Sequence, residues 1–139
     1  MSTDSTVIVN DLEGARVRTL HIVYGLHALG LAIGAFGAAT VVGSFLFGWP
    51  SIIAVIVSYM YRGDVRGTWL ESHFDWAIRT FWLALGLAVV VALVSAPLVL
   101  LLGLGLATWI VGMGLLGLWA IYRIARGWMR LSSREAMPD

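Results

Sequence analysis

The sequence predicts an all-α integral membrane protein in which four transmembrane helices form two hairpins. Residues 19–61 and residues 80–122 are each 43 residues long and contain no Asp, Glu, Lys or Arg, so every charge lies outside these two segments. A bilayer core about 30 Å thick is crossed by about 20 helical residues, so each segment has room for two crossings and a turn. The composition agrees, because 60% of the residues are hydrophobic and 12% are charged, against about 25% charged in soluble domains.

The two apolar segments also predict the organisation of the chain. We expect a cytoplasmic tail at residues 1–18, one transmembrane domain at residues 19–131 with a cytoplasmic loop at residues 62–79, and a C-terminal tail at residues 132–139. The predicted spans are at about residues 20–37, 40–61, 78–101 and 105–125. Acidic residues precede the first arginines of the N-terminal tail, unlike the positive leader of a signal peptide, so we expect this tail to be retained.

The arginines predict the orientation of the helices. All nine cationic residues are arginines, and they lie at residues 16–18, 62–79 and 123–134, with none in the two hairpin turns. Such an excess of positive charge marks the cytoplasmic side of a membrane protein. Both termini and the central loop are therefore predicted to be cytoplasmic, which requires an even number of spans.

In the first hairpin, span one begins near His21 and ends near Gly37, where small residues predict a turn. Span two contains Pro50, and a proline inside a helix removes one backbone hydrogen bond and kinks the helix. Span two is therefore either kinked near Trp49 and Pro50 or begins there as a helix of about 18 Å, which is too short to cross the bilayer alone. Both alternatives stay open on the sequence.

The second hairpin is preceded by a helix-start signal in the central loop. Thr68 and Glu71 have the spacing of a capping box, which predicts a short interfacial helix that leads into span three. Pro97 lies near the outer end of span three. Residues 103–105, Gly-Leu-Gly, predict the turn into span four.

Small residues repeat at helical spacing in spans one and three. They let helices approach closely in lipid, where no hydrophobic drive brings helices together. The predicted helix-packing residues are Gly30, Gly34, Ala84, Ala88, Ala92 and Ala96. This pattern fits packing within one chain as well as packing against a second copy or a partner, and both alternatives stay open.

Polar residues in and near the central loop form a candidate polar site. Trp69, His73 and Trp76 share one helical face, and Asp75 lies one turn from Arg79, so an ion pair between these two is geometrically available. Two interpretations stay open, namely an interfacial segment anchored by tryptophans and a polar site at the inner mouth of the bundle. The residues of the candidate polar site are His21, His27, His73, Glu71, Asp75 and Arg79.

Of these residues, His27 is predicted to lie deepest in the membrane, about 13 Å further in than Arg18 by helix rise. Polar side chains at that depth are costly and are functional-site candidates by default. Three roles stay open for it: a structural hydrogen bond to a backbone carbonyl, to Tyr24 or to water; a proton or ligand role; and haem ligation. Haem needs facing ligands at equal depth, a requirement that only His21 with His73 meets, at the inner rim.

The C-terminal arginines follow one face of a helix that extends span four along the inner surface. Their spacings of three, four and four residues place them together, with Trp128 and Leu131 away from them. Anionic lipid headgroups are the expected partner, at about 1 kcal/mol for each basic residue near the surface, and nucleic acid is not expected. The predicted headgroup-binding residues are Arg123, Arg126, Arg130 and Arg134.

Several motifs together resemble a known group of membrane proteins. They lie at residues 19–24 (TLHIVY), 52–62, 67–74 (GTWLESHF), 78–82 (IRTFW), 122–124 (YRI) and 127–128 (GW). The chain resembles small bacterial inner-membrane proteins with a domain of unknown function, a group distantly similar to the twenty-kilodalton membrane component of the chloroplast import translocon. Relatives carry histidines that correspond to His21 and His73, whereas residues 35–51 are longer and more apolar here. The resemblance implies a four-helix protein of the bacterial inner membrane and supplies no activity.

Enzyme chemistry has little support in the sequence. There is no zinc-type His-Glu spacing and no nucleophile–base constellation, and lysine, which a phosphate-binding glycine-rich loop needs, is absent. The absence of cysteine excludes disulfides, iron–sulfur clusters and thiolate metal sites. We therefore predict no enzymatic activity, no cofactor and no metal site.

Two functions stay open on the sequence. The first, which we favour, is a non-enzymatic scaffold, assembly or translocation-associated subunit whose small-residue faces meet a partner. The second is a small transporter or channel formed by an oligomer, with His27, His73, Asp75 and Arg79 lining the path.

Overall fold

The computed structural model describes residues 2–37, 41–99 and 104–138. Over these residues the chain is helical, apart from one loop and the C-terminal tail. A single turn of 3-10 helix, Gly63–Val65, follows the second helix. The four helices of the described residues are α1 (Ser2–Gly37), α2 (Val41–Arg62), α3 (Trp69–Val99) and α4 (Leu104–Ser132). The predicted all-α class is confirmed.

Three helices in the described part of the chain are long and apolar enough to cross a membrane. These segments are Thr6–Gly34, Trp69–Leu98 and Leu104–Ser132. Their length and composition indicate a multi-pass membrane protein. Of the Gly-Leu-Gly turn predicted at residues 103–105, Gly103 lies outside the described residues, and the other two residues are the first of α4 rather than part of a turn.

Two helix boundaries differ from the prediction. Helix α1 begins at Ser2, so the N-terminal tail is helical and continuous with span one. Helix α3 begins at Trp69, where the capping-box spacing predicts a helix start, and it runs without a break into the apolar segment, so the predicted interfacial helix is the first part of α3. Neither glycine nor proline interrupts α3 before Gly86, and buried residues such as Phe74 and Ala77 continue its packing across this region.

Both prolines of the apolar segments lie inside helices. Helix α2 begins at Val41 and contains Pro50, so the alternative in which span two begins at Pro50 as a short helix is wrong. Pro97 lies in the last turn of α3. Proline has no N–H, so each helix loses one backbone hydrogen bond at its proline.

The start of α3 uses the predicted residues with different hydrogen bonds. Gly67 has a φ of +76°, in the left-handed region that favours glycine. The Gly67 N–H donates to Glu71 Oε2 at 2.8 Å, and Thr68 Oγ1 donates to the Val65 carbonyl oxygen at 2.7 Å. The Glu71 carboxylate therefore caps the turn before the helix, one residue earlier than in a standard capping box.

The hydrophobic core lies at the end of the bundle where α3 begins and α4 ends. Its larger cluster of buried residues consists of Leu20, Tyr24, Val65, Leu70, Phe74, Ile124 and Leu131. A smaller cluster joins α1, α2 and α3 through Val23, Ala54 and Ala77. Towards the other end, large side chains of α3 and α4 such as Leu93 and Ile110 are exposed, since each hairpin packs mainly on itself.

The predicted small-residue faces differ in burial. Gly30 is buried and Gly34 is partly buried on α1, whereas on α3 the first three alanines of the series are partly buried and Ala96 is exposed. The close approach of α3 to α4 uses another glycine, because a Cβ atom at Gly112 would lie 2.8 Å from Val91 Cγ1. The packing of this hairpin therefore uses a small residue of α4 that was not predicted.

Candidate functional site

Tyr24 of α1 and His73 of α3 are joined by a hydrogen bond in the core. Tyr24 Oη lies 3.1 Å from His73 Nδ1, and His73 Nε2 lies 2.7 Å from the backbone carbonyl oxygen of Glu135. A carbonyl oxygen only accepts, so in the neutral imidazole Nε2 donates to Glu135 and Nδ1 accepts from the Tyr24 hydroxyl. His73 thus links α1, α3 and the C-terminal tail, and both of its ring nitrogens are occupied.

Gly127 of α4 makes room for the ring of Tyr24. A Cβ atom at position 127 would lie 2.6 Å from Tyr24 Oη and 2.7 Å from Tyr24 Cε1. Both residues are buried. This contact was not predicted from the sequence. The available signal was a glycine inside the amphipathic end of α4, where glycine costs about 1 kcal/mol relative to alanine and so calls for a packing reason.

The C-terminal tail folds back onto the start of α3. The Met137 N–H donates to Ser72 Oγ at 2.9 Å, and Arg130 Nη1 donates to the Ala136 carbonyl oxygen at 2.9 Å. The Met137 side chain is buried. Together with the bond from His73 to the tail, these contacts hold the tail against α3.

A cleft of about 220 Å³ lies between the tail and α3. Its lining consists of Thr68, Glu71, Ser72, Asp75, Trp76, Arg79, Met137 and Pro138. Three residues of the predicted polar site, Glu71, Asp75 and Arg79, are therefore brought together. Asp75 forms an ion pair with Arg62 at the end of α2 rather than the pair with Arg79 that the helical spacing made available. The 3-10 turn brings the end of α2 back beside α3, which spacing within one helix does not reveal.

His21 of α1 bonds to α4. Trp128 Nε1 donates to His21 Nδ1 at 2.9 Å, which connects α1 to the last turns of α4. The arrangement does not support His21 and His73 as a haem pair, because both nitrogens of His73 already have partners within the chain.

His27 is buried in α1 away from the cleft. Its side chain is 4% exposed, and its ring centroid lies 6.5 Å from that of Phe81. In the described part of the chain its Nε2 atom has no hydrogen-bond partner. The hydroxyl of Tyr24, one of the predicted partners, is bonded to His73 instead. The six residues of the predicted polar site therefore do not form one site.

Arg123 of α4 turns inward against α3. Its Nε donates to Thr80 Oγ1 at 2.8 Å, and its guanidinium carbon lies 3.8 Å from the ring centroid of Trp76 and 5.3 Å from that of Trp119. Trp76 Nε1 donates in turn to the Arg123 carbonyl oxygen at 3.1 Å. A guanidinium over an indole ring is stabilised by about 0.5–2 kcal/mol. Arg123 therefore takes part in the contact between α3 and α4, a role that was not predicted.

The other predicted headgroup-binding arginines have different surroundings. Arg126 Nη1 donates to Tyr122 Oη at 2.9 Å, and Arg130 donates to the tail. Arg134 lies beyond the end of α4 and has a positive φ of 54°. The predicted single helical face is wrong, because α4 ends before Arg134 and because Arg123 packs inward.

Metal binding and similarity to known proteins give no further guide to the site. Within residues 2–37, 41–99 and 104–138, no group of three or more His, Cys, Asp or Glu residues is placed to hold a metal ion. Comparison of the chain with protein-family models, curated proteins and solved structures found no match. The resemblance to the bacterial inner-membrane group stays a prediction, and the function has to be argued from the contacts of the chain.

Proposed function

We propose that the chain is a non-enzymatic subunit of an assembly in the bacterial inner membrane, with a scaffold, assembly or translocation-associated role. The observation that carries this proposal is the contrast between the two ends of the α3–α4 hairpin. At the charged end, polar side chains such as His73, Asp75 and Arg123 bond to the chain itself. Towards the other end, large apolar side chains of both helices are exposed. A surface of this kind suits packing against another protein in lipid better than it suits catalysis.

The position of the arginines supports the proposed orientation, with both termini in the cytoplasm. Arg16 of α1 pairs with Asp64 after α2 at 2.7 Å. Arg123 of α4 bonds to Thr80 of α3 at 2.8 Å, so these arginines from both hairpins lie at the charged end of the bundle. An excess of arginine marks the cytoplasmic side of membrane proteins.

The exposed half of the α3–α4 hairpin is the proposed partner surface. Over the 18 most apolar consecutive residues of each helix, 28% are buried within the chain in α1, against 6% in α3 and 11% in α4. Ala96 is exposed on this half of α3, and small residues let helices pack closely in lipid. We assign this surface, which includes Leu93, Ala96 and Ile110, to a transmembrane helix of another protein.

A small oligomeric transporter or channel is the second candidate, and one observation favours it. His27 Nε2 is buried and has no partner in the described part of the chain, and a polar atom of this kind in a membrane helix is a candidate for a path. The cleft that contains Asp75 and Arg79 lies at the charged end of the bundle beside the tail. His27 and the cleft are therefore separate within one chain, and a continuous path through both would require an oligomer.

Photo-crosslinking in the native membrane tests the subunit proposal. A photoreactive phenylalanine analogue is placed at Leu93 of α3 or Ile110 of α4, and the control position is Leu29, an exposed residue of α1. We expect one stoichiometric adduct with another membrane protein at position 93 or 110, identified by mass spectrometry, and none at position 29. Adducts with lipid alone contradict the proposal, and an adduct with a second copy favours the oligomeric transporter.

A further inference from the structure

Three arginines lie together at the charged end of the α3–α4 hairpin. Arg79 precedes Thr80 on α3, and Thr80 Oγ1 accepts from Arg123 Nε of α4 at 2.8 Å. Arg79 lines the cleft together with Trp76, and the Arg123 guanidinium carbon lies 3.8 Å from the centroid of the Trp76 ring. Arg126 lies one turn after Arg123, and both Arg79 and Arg126 are near enough to repel the Arg123 guanidinium. In the described part of the chain, none of these three arginines forms an ion pair with Asp or Glu.

The acidic residues at the start of α3 are engaged elsewhere. Asp75, one turn before Arg79, pairs with Arg62. Glu71 Oε2 accepts from the Gly67 N–H at 2.8 Å. Both carboxylates line the same cleft as Arg79, but each already has a partner, whereas Arg123 and Arg126 do not line this cleft. An anion bound between the three guanidinium groups would offset their mutual repulsion.

The cluster lies at the expected level of the lipid headgroups. Arg79 and Arg123 are the charged residues that immediately flank the uncharged segment 80–122. The rings of Trp76 and Trp119 lie beside the Arg123 guanidinium. Tryptophan is enriched at the interface between membrane and water. The three guanidinium groups therefore lie where lipid phosphates are found.

The three guanidinium groups differ in accessibility. Arg123 is held by Thr80 and stacked on Trp76, and its Nη2 is buried without a partner in the described part of the chain. Arg79 is exposed and Arg126 is partly exposed, so their guanidinium groups are accessible to a ligand, although Arg126 Nη1 already donates to Tyr122 Oη. Arg123 thus supplies positive charge from a fixed position, and the other two supply the accessible hydrogen-bond donors.

We propose that Arg79, Arg123 and Arg126 form a binding site for one phosphate group, carried by an acidic phospholipid or free in solution. Planar guanidinium groups bind phosphate oxygens through paired hydrogen bonds. The site differs from a general attraction of basic residues to the membrane, because it requires the α3–α4 contact that holds Arg123 in place. This inference is independent of the proposed subunit function.

Native mass spectrometry of the full chain in mild detergent tests the site, with phosphatidylglycerol as the probe. The variant Arg79→Gln/Arg126→Gln is compared with Arg66→Gln/Arg134→Gln, which removes two exposed arginines outside the cluster and changes the net charge equally. Each lost charge weakens general attraction to anionic lipid about fivefold, and the first variant also loses its hydrogen bonds to the phosphate, so we expect it to bind the first lipid more than about 100-fold more weakly. The control loses general attraction alone, so we expect it to bind at most about 30-fold more weakly.

Equal losses in the two double variants would overturn the proposal, since they would show attraction by net charge alone. Unchanged binding in Arg79→Gln/Arg126→Gln would overturn it as well. Thermal unfolding verifies that each variant is folded, and the charge-retaining Arg79→Lys/Arg126→Lys is expected to keep more affinity than the glutamine variant. Competition with inorganic phosphate identifies the source of the ligand: displacement of the lipid assigns the site to phosphate itself, and no displacement assigns it to the acidic lipid.

Discussion

Tyr24 and His73 connect the first hairpin to the second through a hydrogen bond of 3.1 Å between the tyrosine hydroxyl and Nδ1. Both side chains are fully buried, and Gly127 of α4 lies against the Tyr24 ring, so α1, α3 and α4 meet at this point. Lipid provides no hydrophobic drive for helices to associate, so packing and hydrogen bonds of this kind determine how the hairpins pack together.

Replacing Tyr24 with phenylalanine removes the hydroxyl and leaves His73 Nδ1 buried without a donor. An unsatisfied buried acceptor costs about 1–3 kcal/mol, so we expect Tyr24→Phe to lower the free energy of unfolding in mixed micelles by that amount. Tyr59→Phe is the matched control, because Tyr59 is exposed and its hydroxyl accepts from Trp82 Nε1 near the surface. Equal effects of the two substitutions would contradict a special role for the buried hydroxyl.

Replacing Gly127 with alanine tests the close approach of α4 to Tyr24. The new Cβ would lie 2.6 Å from a hydroxyl that is held by His73, so the ring cannot move away without losing its bond. Overpacking of this kind costs about 1–3 kcal/mol. On the same helix, a Cβ at Gly117 meets nothing within 4 Å. We expect Gly127→Ala to lower the free energy of unfolding and Gly117→Ala to leave it unchanged or raise it.

Replacing Ser72 with alanine removes the acceptor of the Met137 N–H. Losing one such bond costs about 1 kcal/mol, so we expect the backbone amides of the tail to exchange with deuterium roughly fivefold faster. The control is Ser132→Ala, because the Ser132 hydroxyl donates to the Trp128 carbonyl within α4. Hydrogen exchange followed by mass spectrometry measures both variants, and an unchanged rate in Ser72→Ala would show that other contacts hold the tail.

The helices were predictable because the bilayer imposes a simple rule on length and charge. The span predicted at residues 40–61 agrees to within one residue at each end with α2, which is observed at Val41–Arg62. The spacing of Thr68 and Glu71 located the start of α3 at Trp69. The helical N-terminal tail was missed, because residues 2–18 contain five charged residues and no uncharged segment long enough for a membrane span.

The candidate site was less predictable, because its contacts join residues that are far apart in the sequence. Asp75 pairs with Arg62 of another helix and not with Arg79 one turn away. Arg123, expected at the lipid surface, lies over Trp76 of α3. A periodic pattern reveals which residues share one face of a helix, but it does not reveal which neighbouring helix lies against that face.

Replacing His27 with leucine separates a structural role from a transport role. In the described part of the chain Nε2 has no partner, so the substitution removes a buried polar atom without leaving another one unpaired. We expect the free energy of unfolding to stay the same or to rise by up to about 2 kcal/mol. His21→Leu is the control, because it deprives Trp128 Nε1 of its acceptor, and we expect it to cost about 1 kcal/mol.

The same two variants distinguish the candidate functions when they are reconstituted in vesicles that contain a pH-sensitive dye. If the chain is a non-enzymatic subunit, proton flux does not depend on His27, and the wild type and His27→Leu give equal rates. A loss of flux in His27→Leu at an unchanged free energy of unfolding would assign a path to His27 and contradict the subunit proposal. A loss of both flux and stability would mean that His27 holds the fold through its packing, for example against Phe81, and would not assign a path to it.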